Sequence, residues 1–297
     1  MKVFIGKYSG YCPGVKRAIK ILDKALSDSL LDDSTKNIYT LGEIIHNPKV
    51  VNSYQDKGVG IIKDIEKLKH GDTIIIRSHG ISPKVKDTLK FKDINIVDAT
   101  CPFVSKAHEI AKYLSDEGYF IVLIGEKDHP EVDGIAGNIK PGNFVIIENE
   151  IEIRNLGCIN KIALLSQTTQ TDSNFNSICQ KLFSIFSYEI RIFKTICRTT
   201  QLRQNEALKM ASKNDIVIVV GGRSSANTRH LKELAASIQK NTYQIEDSSE
   251  VKKEWFRADD RVAVLSGAST PYHDLENVKD KIESFFRFSD VYKKMSE

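Results

Sequence analysis

Residues 97–111 read VDATCPFVSKAHEIA. Val97 to Ala99 close a short apolar run, and Val104, Ala107 and Ala111 then recur at helical spacing, so the stretch predicts a strand running straight into a helix. Cys101 falls at the junction. Peptide dipoles at a strand's end and a helix's start favour a thiolate there.

The junction recurs. GYCPGVKRAI from Gly10 shares C-P-x-V-x-[RK]-A with ATCPFVSKAH from Ala99, and TICRTTQLRQNEA from Thr195 keeps the cysteine entering a helix. Cys12, Cys101 and Cys197 are 89 and 96 residues apart, close to one third of the 297-residue chain. A second feature follows each: GEIIHNP and GEKDHP place His46 and His129 alike, and VVGGRSSANT stands there in the third repeat. A third feature is an apolar strand ending in a serine and a small polar loop: TIIIRSHGISP, IALLSQTTQT and VAVLSGASTP, with Ser78, Ser166 and Ser266. The helix face Phe175, Ile178, Leu182, Ile185 returns 100 positions later as Leu275, Val278, Ile282, Phe285.

Strands alternating with helices at this spacing predict parallel α/β sheets, whose ligands bind beyond the strands' carboxyl ends. The expected architecture is three pseudo-equivalent α/β units with mostly parallel sheets, arranged as a cloverleaf around a central site. The expected units are residues 1–95, 96–190 and 191–297, the opening strand packing with the third.

Composition limits the function. A net charge of +4 with 28% charged residues and no dense Lys/Arg block argues against a nucleic-acid binder and permits an anionic substrate. The longest apolar runs are strand-length, so no membrane partner is expected. MKVFIGKYSG opens in strand-like sequence without an apolar signal core, so a cytoplasmic protein is expected. The cysteine spacing shows no CxxC pair and no disulfide framework. Nor is there a GxGxxG or Walker-type loop for a nucleotide.

Three cysteines in equivalent positions are one short of a closed zinc or iron–sulfur site, and suit a cubane cluster with one iron open. The competing explanation is packing, since cysteine fills small buried slots well. Packing is the expectation for Cys158 and Cys179, which fall outside the repeat. His46, His79 and His129 at strand ends suit an anion such as phosphate. Ser225, Ala226 and Asn227 open a helix, a favourable place for a phosphate or simply a cap. Thr168, Thr169 and Ser269 lie at corresponding edges and add donors. His70, His230 and His273 read as surface residues. Glu131, two past His129, is either a first-turn helix carboxylate or an acid whose raised pKa suits proton delivery.

GYCPGVKRAI, LGEIIHNPKVV, RSHGISP, VDATCPFVSKAH, HPEVDGIAG, LSQTT, SSANT and SGAS together resemble the 4-hydroxy-3-methylbut-2-enyl diphosphate reductase family, in the family's order and from Cys12 to the helix after Ser269. The chain departs from the pattern at Lys127 and Asp128 beside His129, and at Ala226, where a second serine is common and only the backbone N–H remains to donate. The resemblance implies an oxygen-sensitive 4Fe–4S cluster on Cys12, Cys101 and Cys197, its fourth iron open to substrate; a sample handled in air is expected to be apo or 3Fe–4S. It implies two-electron removal of the substrate hydroxyl as water, giving isopentenyl and dimethylallyl diphosphate, the terminal step of the methylerythritol phosphate route. It further implies that His46, His79, His129, Ser225, Ala226, Asn227 and Ser269 hold the diphosphate, that Glu131 relays protons, that Thr168 joins the hydrogen bonds at the hydroxyl, and that ferredoxin or flavodoxin supplies electrons. Two other classes remain: an iron–sulfur redox sensor that binds a phosphorylated ligand without turnover, and a hydrolase of phosphate esters using one thiolate. Stoichiometric conversion of ligand excludes the first, and separate Cys→Ser variants distinguish the second.

Overall fold

The computed structural model describes residues 1–29, 37–92, 94–155, 159–186 and 188–286; Cys158 lies outside them. Strand β1 (Lys2–Ile5) is followed by three further sets of strands, and the described residues form three four-stranded sheets, each parallel throughout. One sheet takes β2 (Ile38–Leu41), β3 (Gly60–Ile62), β4 (Thr73–Ile76) and β5 (Asn95–Asp98) in the order β3-β2-β4-β5. The next takes β6 (Phe120–Ile124), β7 (Phe144–Ile147), β8 (Lys161–Ser166) and β9 (Glu189–Ile192) in the order β7-β6-β8-β9. The last takes β10 (Ile216–Val220), β11 (Thr242–Ile245) and β12 (Arg261–Ser266), and is completed by β1, in the order β11-β10-β12-β1. Lys2 pairs with Arg261 and Ile5 with Val264.

The three orders are the same, with the chain's first strand serving as the fourth of the last sheet. In each sheet that fourth strand runs on to a repeated cysteine: β5 to Cys101, β9 to Cys197, β1 to Cys12. A helix follows each cysteine: α1 (Pro13–Ser29), α4 (Pro102–Asp116) and α7 (Arg198–Ala211). The remaining helices are α2 (Pro48–Gln55), α3 (Pro83–Lys90), α5 (Pro130–Ala136), α6 (Asp172–Ile185), α8 (Ala226–Ile238) and α9 (Tyr272–Ser284). Five of the nine α-helices among the described residues begin with proline, whose fixed φ and missing N–H suit a first helical position.

Helices on both faces explain why the central strands are apolar without alternation. Around the second sheet, Val122, Ile124, Ile162 and Leu164 pack with Phe175, Ile178 and Leu182 of α6, while Ile121, Leu123, Ala163 and Leu165 pack with α4 and α5. Two details depart from the sequence reading. Ile185, expected on the buried face of α6, is 47% exposed because the helix ends there. The strand before Ser78 stops at Ile76.

The described chain divides into two compact units. One holds the third sheet, made from Met1–Cys12, His46–Pro48 and the residues from Arg198 on; the other holds the first two sheets, from Pro13–Ile45 and Lys49–Cys197. No helix among the described residues is long and apolar enough to cross a membrane.

Within the larger unit, His108 of α4 packs under two glycines. A Cβ on Gly80 or Gly134 would come within 2.9 and 3.0 Å of its ring. The buried Nε2 has no hydrogen-bond partner among the described residues, and burial holds the pKa down at about 4, Asp98 opposing and Lys86 assisting. The folded pKa lies below the ordinary 6.5, so stability is intact above pH 6.5 and is lost as pH falls toward 4, by up to about 3 kcal/mol. His108→Leu is expected to abolish that loss, read as urea midpoints at pH 7 and pH 4; an unchanged slope would exclude His108 as its source.

Candidate active site

The repeated serines serve the cysteine loops. Cys101 N–H donates to the carbonyl of Ser78, Cys197 N–H to that of Thr168 and Cys12 N–H to that of Ala268, each at 3.0 Å. Ser166 N–H donates to Thr195 Oγ1 at 2.7 Å, and Ser266 Oγ accepts from Gly10 N–H at 2.8 Å, each contact two residues ahead of a cysteine. The loop after each sheet's third strand thus fixes the cysteine that follows the fourth. All three cysteines are partly exposed residues. Cys101 occupies the N-cap of α4 in extended backbone, and its side chain makes no capping bond.

In the unit of the first two sheets, His79 leaves β4 in a loop that Ser78 ties down by donating to Ile44 O at 3.3 Å. Its ring meets that of His129 edge to face, centroids 5.6 Å apart at 86°. His129 caps α5, its Nδ1 accepting from Glu131 N–H at 3.1 Å, which leaves Nε2 to carry the proton of the neutral ring and to donate. Asp128 adopts φ 62°, the left-handed turn into that helix that aspartate tolerates. Lys127 is drawn away to Glu152 at 2.6 Å, so the charged pair that departs from the motif leaves His129 in its capping place.

Glu131 is 2% exposed. Its Oε1 accepts from Thr168 N–H at 2.6 Å and its Oε2 from the Thr168 hydroxyl at 3.0 Å. Burial pushes its pKa up to about 7, although both bonds from Thr168 favour the charged form. A carboxyl half-protonated near neutrality, with a hydroxyl on its second oxygen, can hand a proton outward and be recharged.

In the unit of the third sheet, Ser269 Oγ donates to the carbonyl of His46 at 2.8 Å, and Asn47 Nδ2 donates to the carbonyl of Ser269 at 2.9 Å. Gly222 lets the His46 backbone approach, since a Cβ there would meet its carbonyl oxygen at 3.1 Å. Ser225 caps α8, accepting from Thr228 N–H at 3.4 Å. Asn227 is 4% exposed, and its Nδ2, like Thr228 Oγ1, has no hydrogen-bond partner among the described residues. Unspent donors beside the N-terminus of a 13-residue helix, with Ala226 N–H among its first amides, form an arrangement that suits an anion.

Sequence reasoning passed over Arg203 and Glu206, one turn apart on α7. Arg203 is 4% exposed and donates to the carbonyls of Gly10 (2.6 Å), Ser266 (3.0 Å) and Gly267 (3.2 Å). Glu206 accepts from the N–H groups of Lys7 (2.7 Å) and Tyr8 (2.9 Å). Together they clamp the turn leading to Cys12. Their i,i+3 spacing was visible, but nothing in it told a clamp from a solvated helix face.

A family model described as LytB protein matches residues 3–283. The 4-hydroxy-3-methylbut-2-enyl diphosphate reductase of Aquifex aeolicus is 39% identical over 95% of this chain and 96% of its own length. That of Campylobacter hominis is 41% identical over 96% and 99%, and that of Pelobacter propionicus 42% over 95% and 98%. Among solved structures, one of (E)-4-hydroxy-3-methyl-but-2-enyl diphosphate reductase, the terminal enzyme of the non-mevalonate pathway, aligns with a TM-score of 0.70 at 39% identity, covering 96% of this chain and all of that one. The Plasmodium falciparum E-1-hydroxy-2-methyl-but-2-enyl-4-diphosphate reductase aligns at 0.87 and 30% identity, over 94% and 87%.

Proposed function

The chain belongs to the LytB protein family, and from that premise we propose that it reduces 4-hydroxy-3-methylbut-2-enyl diphosphate to isopentenyl and dimethylallyl diphosphate. The buried Glu131–Thr168 pair carries the reading, because replacing a C–OH bond by C–H and releasing water consumes two electrons and two protons, and a near-neutral carboxyl is the group to deliver the latter. Cys12, Cys101 and Cys197 fit an iron–sulfur cluster: they are three partly exposed cysteines, each held by its backbone at the same place after the fourth strand of one of three sheets. Such a cluster, 4Fe–4S with one iron open, supplies the electrons. Ferredoxin or flavodoxin is the proposed donor to it, and the cytoplasm the proposed compartment.

The chain's own groups bind and protonate. His79 and His129 present ring N–H donors to the diphosphate; His46, Ser225, Ala226 N–H, Asn227 Nδ2 and Ser269 present the rest of the donor set. When Glu131 is protonated on Oε2, the Thr168 hydroxyl turns to accept that proton and gives its own toward the substrate hydroxyl, with His129 completing the donors around the ligand. The units of this reading are residues 1–95, 96–190 and 191–297, the opening strand going with the third.

Asn227→Ala removes one donor to a charged ligand and is expected to raise KM about tenfold; steady-state kinetics with unchanged KM would remove Asn227 from the set. The deciding experiment is an anaerobic assay with the substrate and reduced methyl viologen, with iron and sulfide counted on the same sample. Both five-carbon diphosphates are expected from cluster-loaded protein. A full cluster without turnover overturns the reductase in favour of a sensor, and no cluster after reconstitution overturns the three-cysteine assignment.

A further inference from the structure

A second cleft opens within the unit of the first two sheets. It is half-open, has a volume of about 470 Å³, and is walled by Leu41, Lys63, Ile65, Arg77, Ile81 and Val85, with Ser82, Pro130 and Asp133 at its edge. The volume is that of a small-molecule site. None of these residues belongs to the proposed diphosphate or cluster sets.

Arg77 leaves β4 and lies across Gly42, where a Cβ would come within 2.4 Å of Nη1. Glycine at φ 73° is what admits the guanidinium here. Burial pulls the Arg77 pKa down, while Asp133 and Glu43, acting through space, oppose that. Its buried Nε–H has no hydrogen-bond partner among the described residues. A half-buried cation with an unspent donor is costly unless something completes it. Lys63, exposed at the rim, adds a second positive charge, and Ser82 opens helix α3 beside it. The remaining wall is branched aliphatic. Among the described residues Asp133 is the one carboxyl lining the cleft; burial and Asp128 raise its pKa while Arg77 opposes them, and it offers an acceptor to a hydroxyl or water that accompanies the ligand.

We propose that this cleft binds an amphiphilic organic anion, its phosphate or carboxylate head on the Arg77 guanidinium and its short hydrocarbon body against Leu41, Ile65, Ile81 and Val85. A guanidinium fork pairs with either head in the same way. Pro130 and Asp133 belong to α5, the helix that carries Glu131, so a bound ligand abuts the element that holds the proposed proton donor.

The test uses the full chain, geranyl diphosphate and octanoate as probes, and inorganic diphosphate as the control without a hydrocarbon. Titration calorimetry gives affinity, and hydrogen exchange gives location. Geranyl diphosphate is expected to protect residues 80–85, and Arg77→Met to weaken that binding at least about tenfold while leaving protection around 225–228 intact. Lys63→Glu, at an exposed position, is expected to weaken it about threefold in a salt-dependent way, and carries the test if Arg77→Met does not fold. Tighter binding of octanoate assigns a carboxylate ligand and supports the site equally. Unchanged affinity in the folded Arg77→Met variant, protection confined to 225–228, or inorganic diphosphate protecting residues 80–85 as strongly as geranyl diphosphate each overturns it. No readout uses turnover, so failure of the reductase reading leaves this result standing, and the reverse.

Discussion

Replacing Glu131 with glutamine is expected to lower turnover by roughly 10²–10⁴ while the iron content of the protein stays the same. Glutamine keeps the shape and both contacts to Thr168: its carbonyl oxygen accepts from the Thr168 N–H, and its amide donates to a hydroxyl that turns to accept. What it lacks is the proton that Glu131 exchanges near neutrality. The substitution also changes how stability varies with pH. The folded pKa of about 7 lies above the ordinary 4.5, so the folded chain binds the extra proton between those values. Its stabilising effect is complete below about pH 4.5 and is lost as pH rises through 7, a fall of about 3 kcal/mol. Glutamine, always neutral, removes the fall. Wild type and variant compared by urea unfolding at pH 5 and pH 8 should therefore diverge, the variant being the more stable at pH 8. Full turnover in the variant would take Glu131 out of proton delivery. The His108 effect runs the opposite way over an overlapping pH range, so the unmodified chain masks both and single variants are needed to separate them.

Arg203→Met is expected to destabilise the fold by about 3 kcal/mol. Methionine can fill much of the space, but three buried carbonyls, those of Gly10, Ser266 and Gly267, lose their donor at once. The Gly10 turn leads directly to Cys12, so iron retention should fall together with the urea midpoint. Arg203→Lys keeps the charge but cannot span all three acceptors, and should lie between the two. An unchanged midpoint in Arg203→Met would show that the clamp adds nothing to stability.

The chain exposes its sheets in the sequence more readily than its clamps. TIIIRSH, IALLSQ and VAVLSG are legible because a strand covered on both faces must be apolar throughout, and because threefold repetition multiplies a weak signal. The third and seventh strands, Gly60–Ile62 and Phe144–Ile147, carry short, less distinctive patterns and were not singled out. Cys101 announced its place, since a strand and a helix meet at it. The roles of Ser78, Ser166 and Ser266 did not show, because each acts on a loop far along the chain: Gly10 and Ser266 are 256 residues apart. Arg203 was hidden for the same reason. The Glu131–Thr168 pair was legible as two polar residues at strand edges, but the burial that raises the Glu131 pKa depends on packing that no local pattern records.

The first strand completing the last sheet sets an order of events at the ribosome. The β1 segment emerges before the other strands of the three sheets, yet its strand partner among the described residues, β12, follows 259 residues later (Lys2 to Arg261), roughly 10–50 s at ordinary rates of synthesis. During that interval β1 is an unpaired edge, and the Cys12 backbone lacks its acceptor at Ala268. The Cys101 and Cys197 loops, whose acceptors at Ser78 and Thr168 precede them, can set as soon as their own segments emerge. On the proposed three-cysteine assignment, cofactor loading is therefore a post-translational event, and a nascent polypeptide stalled before Arg261 is expected to hold no stable cluster, however much iron and sulfide is offered to it.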